Sequence, residues 1–287
     1  MSFVMNYQCT GQNPAESTFN TVQRPRSFQV AGIDGCKAGW LVAVVSAMEV
    51  GTGASTTCVY ALREFWVAHT FNEILPKTTQ FELICVDIPI GLSDGPYERA
   101  CDLAARKLLG QPRGSSVFPA PLRPALRAND RDTSSRITLE CTKARRKGPV
   151  GVNKQTFSLF RGVKDVEGQI EPFNQDRIRE VHPEISFWAL NNQKPMQHSK
   201  KRLIGRKERM KLLAPIFSDI EKIVAETRKP KEVAPDDILD ALVAAWTAGQ
   251  TVIGKAETLP KNPEFDSKGL RMEILGPAKE LIQSSPI

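Results

Sequence analysis

From Phe28 onward, short apolar blocks alternate with polar turns. Phe28–Ile33, Trp40–Ser46 and Thr57–Phe65 read as strands, the first two joined by Asp34-Gly35-Cys36-Lys37-Ala38-Gly39. Leu83–Val86 is a continuous apolar run ended by Asp87-Ile88-Pro89, the pattern of a strand buried on both faces. A short helix is expected over Phe71–Lys77 and a longer one over Tyr97–Leu109, with Gly110 as its stop. Residues 111–175 are rich in Pro, Gly, Arg and Lys and read as an irregular insertion or cap. Ile178–Phe187 reads as a further strand. Its Pro183 cannot donate to a ladder, so the strand is expected at a sheet edge, with Glu180, His182, Glu184 and Ser186 on one face. Helices are predicted over Arg206–Phe217 and Asp219–Thr227, and a last short strand over Leu270–Leu275. The order predicts an α/β domain with a mixed sheet and helices on both faces. The expected organisation is a flexible leader over 1–27, one domain over 28–255 with its insertion at about 111–175, and a C-terminal extension over 256–287.

One helix stands apart. Pro235–Trp246 is apolar nearly all round, with acids at its start and one inside. Such a helix belongs in a core. Asp236 or Asp237 can serve as a cap, but Asp240 lies too far in. A buried carboxylate is costly unless something pairs with it, so Asp240 should face a metal, a base or a polar cavity. Asp237 and Asp240 share a helix face.

Composition adds limits. The chain has 287 residues, ordinary apolar content and a net charge of +7, with a pI near 9.1. That balance favours a polyanionic partner. No apolar run is long enough for a membrane span, and the N-terminal stretch lacks the apolar segment of a signal peptide. Six cysteines are scattered without any C-x-x-C pair, which excludes zinc spacing and makes a reducing, cytoplasmic compartment the simplest expectation.

Asp34 ends the first strand and Asp87 ends the buried one. Singly, each reads as a turn former or cap. Ligands of such sheets, however, bind beyond the carboxyl ends of parallel strands. Joined by Asp237 and Asp240, the set reads as a site. Four clustered carboxylates repel one another unless cations neutralise them. Oxygen donors with no Cys/His set suit Mg²⁺ or Mn²⁺, and a pair of such ions could cleave a phosphodiester.

An acid after strand one, another after strand four and D-x-x-D on a late helix resemble the ribonuclease H-like superfamily. Asp237-Ile238-Leu239-Asp240-Ala241-Leu242 is similar to the closing motif of bacterial Holliday-junction resolvases. More closely, the chain resembles domain-of-unknown-function family 429, predicted nucleases of that fold. The matching segments are Gly32–Trp40, Val86–Leu92, Cys101-Asp102 with Ala105-Arg106, Ser115–Pro121, Glu180–Glu184, and Ser199-Lys200-Lys201 with Gly205-Arg206. The resemblance implies a five-stranded ribonuclease H-like sheet and a two-metal nuclease. Many enzymes of the superfamily carry Glu where this chain has Asp87.

Other candidates surround the acids. Glu184 is a candidate fifth acid and His182 a proton donor or phosphate contact, each weighed evenly against a solvated edge face. Lys37, Arg106, Ser115 and Ser116 lie in the matched segments and are substrate-binding candidates. Lys200, Lys201, Arg206 and Arg209 form the densest basic stretch; a solvated helix face is the bland alternative to phosphate contacts. No nucleophile elbow surrounds the serines. The leading expectation is a Mg²⁺- or Mn²⁺-dependent nuclease acting on DNA or RNA. The alternatives are an actin-like or sugar-kinase-like phosphotransferase, which Gly32-Ile33-Asp34-Gly35 also resembles, and a non-catalytic nucleic-acid-binding protein.

Overall fold

The computed structural model describes residues 25–277. The expected leader lies outside them except for 25–27, and Ser27 already opens the first strand. β1 (Ser27–Cys36), β2 (Gly39–Val50) and β3 (Thr57–Ala68) form an antiparallel meander. β4 (Leu83–Val86) and β5 (Ile178–Glu180) extend it in parallel from the other side of β1. The order β3-β2-β1-β4-β5 gives the mixed five-stranded sheet expected from the sequence.

The sheet separates two cores. Val30, Leu41, Ala43 and Cys85 point to one side, Ile33, Val42, Ile84 and Val86 to the other. Between β4 and β5 run α1 (Ala100–Arg113), α2 (Arg131–Cys141), α3 (Lys154–Ser158) and α4 (Phe160–Glu167). After β5 come α5 (Pro183–Leu190), α6 (Leu203–Leu213), α7 (Ile220–Thr227) and α8 (Pro235–Val252). α8 is buried continuously from Ile238 to Gln250 in the first core. Its start fits its sequence: Pro235 occupies the first turn, and the Asp237 carboxylate accepts the Ala234 N–H at 2.8 Å. A Cβ at Gly32 would fall 2.0 Å from the Ala241 carbonyl oxygen and 2.2 Å from the Ala245 nitrogen. β1 and α8 therefore touch backbone to backbone, which only glycine permits here.

Several expectations need correction. The strand expected over Ile178–Phe187 stops at Glu180, and Pro183 opens α5 behind a His182 N-cap. Proline fits a first helical turn, where its missing N–H costs nothing. β5 does lie at the sheet edge. The insertion is not irregular. Asp130 caps α2 and Asn153 caps α3, while Val163 and Val166 of α4 enter the second core. Phe71–Lys77 becomes two 3₁₀ turns, Phe71–Glu73 and Leu75–Gln80. α1 starts three residues later than expected and breaks at Gly110, whose φ is 54°. Beyond α8, β6 (Ala256–Phe265) and β7 (Arg271–Pro277) form a hairpin, and Met272, Ile274 and Leu275 enter the first core.

Candidate metal centre

Ile33 and Val86 are paired in the parallel ladder, so Asp34 and Asp87 come next, side by side, at the carboxyl ends of β1 and β4. The Asp87 N–H donates to the Ile33 carbonyl at 2.9 Å. Asp34 alternates with Gly32 and Val30 and so falls on the α8 side of the sheet. The close approach at Gly32 brings Asp240 to the same place. One carboxylate oxygen from each of Asp34, Asp87 and Asp240 lies within 4.8 Å of the others. Asp240 is 1% exposed and its Oδ1 has no hydrogen-bond partner. Burial, then the neighbouring Asp240 and Asp87, holds the Asp34 carboxyl well above its usual range. Burial pushes Asp240 up to about 6, although Lys200 opposes the shift. An oxygen-only, buried, mutually repelling trio with an unused lone pair fits a hard divalent cation.

Lys200 was expected on phosphate; its ammonium instead bonds Asp240 Oδ2 inside the cluster. Burial works against its charge, but Asp240, Asp34 and Asp87 outweigh that and raise its pKa well above the ordinary lysine value. The loop carrying it is fixed from α6. A Cβ at Gly205 would meet the Ser199 carbonyl oxygen at 2.1 Å. Glu208 accepts the N–H groups of Gln197 and His198 at 2.8 and 3.1 Å. Arg209 donates to the His198 carbonyl at 3.1 Å.

Arg209 is therefore no phosphate contact. It is completely buried and pairs with Glu184 at 2.5 Å. Glu184, in the first turn of α5, lines the same cleft as Asp34 and Asp87, and its Oε2 has no partner. Asp237 stands outside the trio and uses one oxygen on the α8 terminus. His182 lines the cleft; its Nδ1 accepts the Glu184 N–H at 3.2 Å and its Nε2 lies 3.4 Å from the Ser116 carbonyl oxygen.

The cleft beside the trio has a volume of about 780 Å³. Ser115, Ser116, Lys200 and Lys201 line it, whereas Lys37, Arg106, Arg206 and Arg209 do not. Arg106 instead braces the end of α1, donating to the Val117 carbonyl at 2.8 Å and pairing with Glu98 at 2.5 Å. Arg206 donates to the Lys201 carbonyl at 2.9 Å. Lys201 pairs with the buried Asp236 at 2.5 Å.

Sequence reasoning missed a buried polar knot in the cleft wall. Arg99, 2% exposed, pairs with Asp102 at 2.6 Å and Glu180 at 2.7 Å and donates to the Ile90 and Gly91 carbonyls. It ties β5 and α1 to the loop that follows Asp87. The available signal was Glu180 inside a buried strand, which demands a buried base. Asp165 was also missed; it accepts the Trp40 indole N–H at 2.7 Å and the Phe71 N–H at 2.8 Å, fastening α4 over the start of β2.

No curated protein matches the sequence. Among solved structures the chain is similar to Thermus thermophilus RuvC, at 14% identity with a TM-score of 0.30, covering 79% of this chain and 97% of that one. A family model described as "Protein of unknown function (DUF429)" matches residues 32–265, from the Gly32 contact through the D-x-x-D helix and into β6. With most of its length inside that match, the chain belongs to the DUF429 family.

Proposed function

We propose that this protein is a divalent-metal-dependent nuclease. The observation that carries the proposal is the meeting of Asp34, Asp87 and Asp240 within 4.8 Å at the carboxyl ends of β1 and β4, one of them with an unused buried oxygen. These three residues would hold the ion, and Mg²⁺ or Mn²⁺ suits their hard oxygens. When bound, such an ion supplies Lewis-acid polarisation of a phosphoryl oxygen and acidification of water.

The chain's own residues account for the rest. Lys201 lines the cleft and is a cation there suited to a phosphate of the substrate backbone, the Lys200 ammonium being held on Asp240. His182 presents an imidazole on the cleft wall, positioned by the α5 terminus and able to hold or pass a proton. Glu184 is oriented by Arg209. A sugar-kinase-like phosphotransferase would need two such sheets around a nucleotide, and the described residues form one sheet of this kind.

The test is cleavage of a panel of DNA, RNA, hybrid and branched substrates with Mg²⁺, Mn²⁺ or EDTA. Metal-dependent cleavage is expected, falling to the EDTA background in Asp34→Asn. Wild-type protein that cuts nothing in the panel, or an Asp34→Asn variant that cuts normally, would refute the proposal.

A further inference from the structure

We infer that Lys200 stands in for a second cation, so that the carboxylate centre takes one divalent ion with a lysine ammonium beside it rather than two ions. The inference rests on the metal-centre reading above and departs from the pair of ions that the sequence suggested. Its first support is occupancy. The Lys200 ammonium bonds one oxygen of Asp240, the residue whose other oxygen is buried and unpartnered. One carboxylate thus offers one oxygen to the lysine and keeps one for an ion.

The second support is charge. Glu184 is balanced by Arg209 and Asp236 by Lys201. Asp237 lies outside the trio and is only half-buried, so solvent weakens its charge there, though it adds a small repulsion to Asp34. That leaves Asp34, Asp87 and Asp240 against Lys200. Three carboxylates and one ammonium carry two net negative charges, which one divalent ion cancels. A second ion would leave an excess of positive charge in a buried site, which is costly.

The third support is construction. A solvated lysine that merely drifts into an acidic cleft needs no scaffold. Lys200 sits on a loop gripped from three points of α6: the Gly205 backbone against Ser199, Glu208 on two N–H groups, and Arg209 on the His198 carbonyl. Those contacts fix the backbone from which the Lys200 side chain reaches Asp240, so the ammonium is placed by the fold.

The test counts ions directly, without an activity readout. Full-length protein is titrated with Mn²⁺ by calorimetry, and free Mn²⁺ is counted by electron paramagnetic resonance. Wild type and Lys200→Arg are expected to bind one Mn²⁺, and Lys200→Met two. Two ions bound by wild type, both lost in Asp34→Asn, would overturn the inference while leaving the metal centre intact. No Mn²⁺ bound by wild type would overturn both. One ion in wild type and in folded Lys200→Met alike would show that the lysine excludes nothing, and overturn the inference alone. Should Lys200→Met fail to fold, the wild-type and Lys200→Arg counts decide.

Discussion

Arg209 and Arg206 lie one turn apart on α6, and both belong to the basic stretch, yet their chemistry differs. Arg209 has no exposed surface; its two terminal nitrogens donate to Glu184 and to the His198 and Gly205 carbonyls, and its Nε has no partner. Removing one partner of a buried pair strands the other charge and typically costs about 3–5 kcal/mol. Arg209→Met should therefore lower stability by about that amount in urea unfolding. Arg206→Met, which loses one contact to a backbone carbonyl at the surface, should stay within about 0.5 kcal/mol of wild type. Equal losses would mean that the Arg209–Glu184 pair contributes nothing beyond surface charge. Composition and local spacing make the two arginines look alike. Only the tertiary meeting of α6 with α5 tells them apart, so the expected phosphate role of Arg209 was a misreading that no local pattern corrects.

Elements place the acids where residues alone do not. The Gly32 contact sets how near α8 comes to β1, and so how near Asp240 comes to Asp34. Overpacking a tight core usually costs about 1–3 kcal/mol, occasionally more. In Gly32→Ala the new methyl would meet backbone on both sides, which cannot swing away as a side chain can. A loss at or above the upper end of that range of about 1–3 kcal/mol is expected by urea denaturation, with weakened Mn²⁺ binding. A variant as stable as wild type would show that α8 can retreat freely. The regular elements were legible because their periods are strong: β1, β2, β4 and α8 follow the apolar pattern. The end of β5 was not, because His182-Pro183 suits an edge strand and a helix start equally. Pairing with β4 stops at Glu180, and only the fold shows that. The insertion's helices were obscured by weak apolar content, although Asp130 and Asn153 carry ordinary cap signals.

At the scale of the whole molecule, the acid centre makes stability depend on pH and metal together. Asp34 and Asp240 came from sequence because a strand end and a buried helix are both readable. Lys200 among them was not, since it lies forty residues from Asp240 along the chain. Asp240 is pushed up to about 6 in the fold, against about 3.9 for an unperturbed aspartate. Between those values the folded state holds a proton that the unfolded state does not. Stability therefore falls as pH rises from about 4 through 6, by roughly 2–3 kcal/mol for this group. Asp34 acts in the same direction, and so does Glu180, raised to about 7 by burial. In EDTA, the melting temperature should drop between pH 5 and 7.5. Asp34→Asn should lessen that drop and melt higher than wild type at pH 7.5, because it removes one repelling charge while sparing the Lys200–Asp240 pair. Glu180 lies outside the trio, so part of the slope should survive in the variant. A divalent ion binds the ionised carboxylates of the folded state only, so the stabilisation by Mn²⁺ should grow with pH in wild type and vanish in Asp34→Asn. Thermal melts from pH 5 to 8, with EDTA or Mn²⁺, measure both slopes. A wild-type melting temperature that rises steadily with pH in EDTA, or Mn²⁺ stabilisation that Asp34→Asn leaves untouched, would place the dominant titration and the ion elsewhere in the molecule.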